Sequence, residues 1–370
     1  MGNKKLAIIG ANASIAMLIE KSKSLGYETH VFAWQCGDPG ESIADFFYPI
    51  SIDHKDEILQ KCREIGVVGV CSITSDFAAP VVSYVARKLG LPCNPEITEV
   101  IARNKYQMRC AFKDAGLFTP PFVQLGENYS EELIEELKYP VIVKPTDRWS
   151  SKGVNRVNRK EDLKHAVAYA VKESFDKCAI VEGFMDGPEY SAECICYNGK
   201  RRILAITEKK TTESPHYIET GHCQPASLTE QEKKKITSVI IKALEVLHIE
   251  NSAAHVEFKI LDNGDIGIIE IGARMGGDCI GTDLTPISTG MDYIRMVIDV
   301  ACGNEPDFSI LTEPSFVRVK FIMNQADLDE LHLLQTSFPK KIVRVAVIDK
   351  NFEREILDSS TRHGYYIIKS

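Results

Sequence analysis

Within Ala254–Gly277 the sequence reads AHVEFKILDNGDIGIIEIGARMGG, and Asn263-Gly264 near its centre calls for a β-hairpin. Asn-Gly is the favoured centre of a two-residue type I′ turn, because both residues must adopt positive φ. Such a turn pairs residues equidistant from it, which sets Glu257 directly opposite Glu270. Alternation then puts Lys259, Leu261, Ile266 and Ile268 on the glutamates' face. Val256, Phe258, Ile260, Ile269 and Ile271 form an apolar face suited to burial. Opposed Cβ atoms lie about 4.5–5.5 Å apart, a distance at which like charges destabilise. Solvent or Lys259 can relieve that repulsion; so can a hard divalent cation, and Mg²⁺ typically takes one or two carboxylates plus substrate phosphates. Just beyond the second strand, Arg274 offers a permanent cationic fork. Gly276-Gly277 lets a backbone approach a ligand closely. Metal, cation and open backbone so close together point to phosphoryl transfer.

At 370 residues and 44% hydrophobic, the chain exceeds what one core usually organises, so two or three subdomains are expected. A net charge of -8 leaves no basic footprint for nucleic acid. No apolar run reaches the roughly 18–20 residues of a membrane span. Leu6–Ile9 is too short for a secretory signal. The expectation is a cytoplasmic protein with small-molecule partners, no nucleic acid and no membrane. The eleven cysteines, without a C-x-x-C, read as reduced core thiols rather than disulfides or zinc ligands.

Apolar runs at Lys5–Ile9, Thr29–Ala33 and Val67–Ile73 alternate with helical stretches at Ser14–Leu25 and Val81–Leu89. This alternation predicts a parallel, doubly wound α/β sheet over about the first 95 residues. The turn after the first strand carries Gly10 but lacks the other glycines of a dinucleotide fingerprint. That speaks against a nicotinamide dehydrogenase and for a scaffold or substrate platform. Next come one helix over Glu96–Ala115, a charged helix over Glu131–Lys138 and a strand at Val141–Lys144. A helix at Glu161–Ser174, strands at Cys178–Glu182 and Glu189–Tyr197, and a long helix at Thr229–His248 follow. Val317–Phe321, Asp327–Gln335, Ile342–Ile348 and Tyr365–Ile368 predict a small terminal α+β unit.

In this order the residues resemble the ATP-grasp superfamily of carboxylate–amine (or thiol) ligases, over about residues 100–305. The resemblance implies a mixed α/β and α+β fold. A preATP-grasp domain would cover 1–95, an ATP-grasp domain 96–310 with a mobile lid at about 118–185, and a C-terminal α+β unit 311–370. Lys105 and Lys144 match the family's ATP lysines, and Arg148–Gly153, with Ser151, Lys152 and Gly153, matches its phosphate loop. Glu182, Gly183, Phe184 and Met185 match the adenine hinge, and Glu189 the ribose-binding glutamate. Glu257 and Glu270 match the metal pair. Arg274 matches the arginine near the transferred phosphate, so Arg274 and Lys144 are the implied catalytic residues. The implied chemistry uses ATP and Mg²⁺, with Mn²⁺ as an alternative ion. A small carboxylic acid becomes an acyl phosphate and is joined to an amine, releasing ADP and phosphate; amino acids are candidates for both. The fold is compatible with a homodimer.

Two departures stand out. The family commonly reads E-x-N at the second metal strand, whereas here the sequence is Glu270-Ile271-Gly272, and the phosphate loop is poorer in glycine than usual. A narrower resemblance joins the chain to the L-amino acid ligase branch and its carbamoyl-phosphate-synthase-like relatives. It rests on Glu219-Thr220-Gly221-His222 and the run GARMGGDCIGTDLTPISTG. It implies that Glu219 assists the metal and that His222 lies near the substrate, although His222 also reads as a hydrogen-bonded loop histidine. Gly276, Gly277 and Asp278 would line the acceptor site, with Asp278 reading an ammonium group. Two rival activities remain: a bicarbonate-activating carboxylase, and a non-catalytic ATP-binding subunit, which Gly272 favours.

Overall fold

The computed structural model describes residues 4–148, 152–212 and 217–370. The first apolar run becomes β1 (Lys4–Ile9), flanked by β2 (Tyr27–Phe32), β3 (Phe46–Tyr48) and β4 (Gly69–Cys71). These strands lie in the order β3-β2-β1-β4 and all pair in parallel. β1 is buried on both faces. Leu6 and Ile8 pack with Ile15, Leu18 and Ile19, while Ala7 and Ile9 pack with Ile58, Val81 and Val85. Burial of both faces explains why the strand reads as an unbroken apolar run, as parallel sheets require.

A second sheet is antiparallel and orders β5 (Phe122–Leu125), β6 (Val141–Pro145), β7 (Asn155–Val157) and β8 (Ala179–Gly183) as β5-β8-β6-β7. Helix Lys160–Glu173 covers it with Leu163, Ala166, Val167 and Ala170, the 3.6-residue spacing of an amphipathic helix.

The largest sheet has eight strands: β9 (Glu189–Tyr197), β10 (Lys200–Thr211), β11 (Glu219–Gln224), β12 (Ser252–Ile260), β13 (Ile266–Gly272), β14 (Val317–Phe321), β15 (Ile342–Val345) and β16 (Tyr365–Lys369). Their order is β13-β12-β9-β10-β11-β14-β16-β15. β14 pairs with β11, so the small C-terminal unit continues this sheet. Helix Glu230–Val246 packs Ile236, Ile240 and Leu244 against Cys194, Val256 and Phe258 on one face. Helix Tyr293–Ala301 packs Tyr293, Met296 and Val300 into the cluster of the first sheet, tying the two sheets together.

Three local readings are corrected. The helix expected over Glu96–Ala115 is two helices, Glu96–Arg103 and Lys105–Asp114. Asn104 takes an extended backbone between them and its Oδ1 accepts from the N–H groups of Tyr106 and Gln107 at 3.0 and 3.1 Å. Asparagine competes with helix continuation through such bonds. Glu131–Lys138 forms only a short 3₁₀ turn over Glu131–Ile134. The hairpin turn is also longer than two residues. Leu261 N–H bonds Asp265 O at 2.9 Å, Gly264 N–H bonds Leu261 O at 2.7 Å, and Gly264 has φ +79. This is the three-residue loop with a left-handed glycine. Taken alone it would shift the whole register by one. A bulge between Glu257 and Phe258 shifts it back, leaving Ile269 as the extra residue, so Glu257 still pairs with Glu270. Ile266 and Ile268 therefore turn into the core, contrary to the face assigned from alternation, and Ile269 turns to the cavity described below.

The Asn104 cap generates a stability prediction. Asn104→Ala should lower the unfolding free energy by about 1 kcal/mol, read as a reduced midpoint in urea. An unchanged midpoint would show that the break is held by packing alone.

Candidate active site

The three sheets converge on a cavity of about 320 Å³. Lys105 enters it as the first residue of the helix that Asn104 caps. Its Nζ donates to Glu270 Oε1 at 3.0 Å and to the Arg148 carbonyl at 2.5 Å. Lys144 enters from β6 and is buried, with Nζ 2.6 Å from Glu182 Oε1 on the neighbouring β8. Arg109, one turn along from Lys105, closes the group by donating from Nε to Glu182 Oε2 at 2.7 Å. Burial alone would push the Glu182 carboxyl up, but Arg109 and Lys144 together hold it down to about 2. Burial pulls Lys144 below its ordinary value, with Arg109 and Lys105 adding to the effect and Glu182 opposing it. Glu182 thus faces the cavity with its carboxylate committed to two cations. Of the hinge, Gly183, Phe184 and Met185 also line the cavity. The Phe184 N–H donates to Pro140 O at 3.1 Å, and its ring lies under Arg156 at 4.2 Å.

Glu189 and Glu257, on adjacent strands β9 and β12, share the ammonium of Lys209 from β10 at 2.9 and 2.6 Å, with Glu219 of β11 at 3.8 Å. Burial opposes the charge on Lys209, and the three carboxylates outweigh it, raising Lys209 well above its ordinary value. Glu257 also meets His255 Nε2 at 3.3 Å, and His255 Nδ1 lies 2.5 Å from Glu193 Oε1. Burial lowers His255, but the carboxylates of Glu193 and Glu257 push it up to about 9. Glu193 further accepts the Gly276 N–H at 2.9 Å, and a Cβ on Gly276 would lie 2.3 Å from its Oε1. Gly276 therefore sits behind the cavity wall as a backbone support, while Gly277 and Asp278 form the wall.

Asp278 does not stand free for an ammonium group. Arg362 grips both its oxygens, Nη2 to Oδ1 at 2.6 Å and Nη1 to Oδ2 at 3.0 Å, and the guanidinium lies over Phe321 at 3.6 Å. Burial raises Asp278, but His222 and Arg362 bring it well below the usual carboxylate range. His222 is buried, its Nε2 3.8 Å from Asp278, and neither ring nitrogen has a hydrogen-bond partner among the described residues. Ser359 donates to Glu219. Arg274 is gripped by Asp76 through Nε at 2.9 Å and Nη2 at 2.8 Å. A Cβ on Gly272 would lie 3.1 Å from both Arg274 Cζ and Asp76 Oδ1, so the space that the sequence leaves beside Glu270 is taken by this pair.

Lys105, Lys144, Lys152, Glu182, Gly183, Phe184, Met185, Glu189, Glu219, His222, Glu257, Glu270, Arg274, Gly277 and Asp278 thus line one cavity. Gly153 does not line it: its φ is +74 and a Cβ would lie 2.7 Å from Pro145 Cγ. Ser151 lies outside the described residues. Sequence reasoning missed Lys209, Arg109, Asp76, Ser359 and Arg362. Only Lys209 carried a usable signal, since alternation along β10 places a lysine beside strands rich in carboxylates. Arg109 lies one turn from Lys105 but meets a partner 73 residues away, and the other three come from loops distant in sequence.

An ATP-grasp domain pattern matches residues 137–283. The chain is 31% identical over 346 residues to alanine–anticapsin ligase of Bacillus subtilis (strain 168), covering 82% of this chain and 71% of that protein. It is 33% identical over 165 residues to a D-alanine–D-alanine ligase of Clostridium botulinum, covering 43% and 53%. Among solved structures, an L-amino acid ligase from Bacillus licheniformis aligns with a TM-score of 0.82 at 24% identity, over 100% of this chain and 94% of that one. A phosphoribosylglycinamide synthetase from Anaerococcus prevotii aligns at 0.78 and 22%, also over 100% and 94%.

The Arg109–Glu182–Lys144 group predicts a pH dependence. A carboxyl held at about 2 against an ordinary value of 4.5 contributes stability that is complete above the ordinary value. That stability is lost as pH falls through this window toward the folded value. Glu182→Gln should destabilise the protein by about 3–5 kcal/mol, since it leaves two buried cations unpaired. It should also flatten the decline of urea-unfolding free energy below about pH 5. An equally steep decline in the variant would assign the acid sensitivity to other groups.

Proposed function

Since the chain belongs to the ATP-grasp carboxylate–amine ligases, ATP-dependent enzymes that form carbon–nitrogen bonds and release ADP, we propose that it joins two amino acids through an acyl phosphate. The single observation that carries this reading is the convergence of Glu257, Glu270, Lys105, Lys144, Lys209 and Arg274 on one cavity. Phosphoryl transfer is catalysed mainly by positioning and charge neutralisation, and this set supplies both signs.

The donor chemistry fits Mg²⁺. Glu257 and Glu270 are paired across the β12–β13 ladder, and their hydrogen bonds to Lys209, His255 and Lys105 all fall on Oε1. Each thus has a second carboxylate oxygen outside these bonds, and Glu257 and Glu270 would hold the ion. Mg²⁺ typically takes its remaining oxygens from phosphates and water. When bound, Mg²⁺ would neutralise phosphate charge at these two glutamates. Glu219 lies beside the same lysine as Glu257 and is the candidate for a supporting role.

In the first step a carboxylate oxygen attacks the γ-phosphorus and the bond to ADP breaks, leaving an acyl phosphate. Lys105, Lys144 and Arg274 oppose the negative charge that accumulates. In the second step an amine nitrogen attacks the acyl carbon, phosphate leaves with the former bond pair, and the nitrogen gives up a proton. His222, Asp278, Glu219 and Ser359 present polar and charged groups to the cavity, with Arg362 behind them on Asp278. Such a wall suits a zwitterionic substrate, and the names of alanine–anticapsin ligase and the L-amino acid ligase support amino acids at this end. The Mg²⁺ requirement and the amino acid pair are the parts to be tested.

Phosphate release screened over single amino acids and then pairs should show ATP- and Mg²⁺-dependent turnover with at least one pair. Turnover with bicarbonate alone would redirect the assignment to a carboxylase. Glu270→Gln should reduce ADP formation by about 10²-fold or more while the protein stays folded, and wild-type rates in that variant would remove Glu270 from the metal site.

A further inference from the structure

The loop after β4 belongs to the first sheet, remote in sequence from the catalytic strands, yet it reaches the cavity with Thr74 and Asp76. Thr74 has φ +59, a left-handed conformation that β-branched residues rarely adopt. Such outliers persist only where their surroundings hold them, and they gather at functional sites. Here the Ser72 hydroxyl donates to the Ile9 carbonyl at 2.7 Å and Ser75 Oγ accepts the Ala78 N–H at 3.2 Å. The bracing presents Asp76 to Arg274, and the two side chains are each only 17% exposed.

The contact is bidentate, with Arg274 Nε and Nη2 donating to the two Asp76 oxygens, and Nη1 donates to the Met275 carbonyl at 3.1 Å. One N–H of each guanidinium nitrogen is thereby used. The second N–H groups of Nη1 and Nη2 remain for whatever occupies the cavity. A planar fork held on one edge has little freedom left on the other. Gly272 is part of the same arrangement, because a Cβ would press on Arg274 and Asp76 together.

We propose that Asp76 is a positioning residue that aims Arg274 at the transferring phosphoryl group, and that Gly272 gives this clamp its room. The inference rests on the ligase reading above and extends it to the first sheet, whose loop then contributes to catalysis by orienting Arg274. A purely structural ion pair between the sheets would make a different prediction: lower stability with kinetic constants unchanged in the folded variant.

The test is a double-mutant cycle. Asp76→Ala should lower kcat by about 10²-fold with little change in the KM for ATP. Asp76→Asn, which keeps one acceptor oxygen, should lose less, and Gly272→Ala should reproduce part of the defect. In an Arg274→Ala background, Asp76→Ala should cause no further loss in kcat. Full, multiplicative loss in that background, or wild-type kcat in folded Asp76→Ala, would overturn the proposal. A readout independent of substrate identity comes from ¹⁵N NMR of the Arg274 Nε–H, assigned by its absence in Arg274→Lys. Its exchange with water should accelerate in Asp76→Asn, and an unaltered signal would overturn the clamp. Failure of every amino acid pair in the wild-type screen, with the NMR result as expected, would count against the ligase substrates alone.

Discussion

Buried charge is the constraint on which this structure turns. Carboxylates from β8, β9, β11, β12 and β13 face one cavity, and a charge removed from water is tolerated only with a well-placed partner. Each partner comes from elsewhere in the chain. Arg109 and Lys144 serve Glu182, Lys209 serves Glu189 and Glu257, Lys105 serves Glu270, and Arg362 serves Asp278. The sheets are thus joined at the cavity by ion pairs as well as by apolar contacts. Of these cations, Lys105, Lys144 and Lys209 also line the cavity, and under the proposed function Lys105 and Lys144 would exchange part of their carboxylate contact for phosphate.

Much of this was legible in the sequence because periodicity records burial. β1 reads as a continuous apolar run since both its faces are covered, and β9 reads as alternating since one face meets helix Glu230–Val246 while the other carries Glu189 at the cavity and Ser191 and Glu193 buried beneath it. The hairpin is more instructive. Asn263-Gly264 marks the turn correctly, but the loop is one residue longer than a two-residue turn, and Ile269 bulges out to offset it. The longer loop and the bulge cancel, so Glu257 and Glu270 face each other as a plain two-residue hairpin would also have them. Ile266, Ile268 and Ile269 were consequently assigned to the wrong faces. A bulge leaves no period in the sequence, so this could not be read in advance.

The unread part of the site shares one property: long sequence separation. Asp76 and Arg274 are 198 residues apart, and Asp278 and Arg362 are 84 apart. No local pattern encodes such a meeting. Gly272 shows the cost of reading a position without its neighbours. Taken alone it favours a non-catalytic protein, whereas in the fold it leaves room for the Asp76–Arg274 pair beside Glu270.

The continuation of the eight-stranded sheet through β14 and β16 has a consequence for assembly. Ser359 and Arg362, which reach Glu219 and Asp278, are later in the sequence than every residue proposed to handle nucleotide. During synthesis Glu219 and Asp278 therefore emerge before Ser359 and Arg362, the groups that hold them in the folded chain. The far end of the cavity is thus completed only once the last strands of the eight-stranded sheet are in place, after the strands that carry Glu257 and Glu270 have been made.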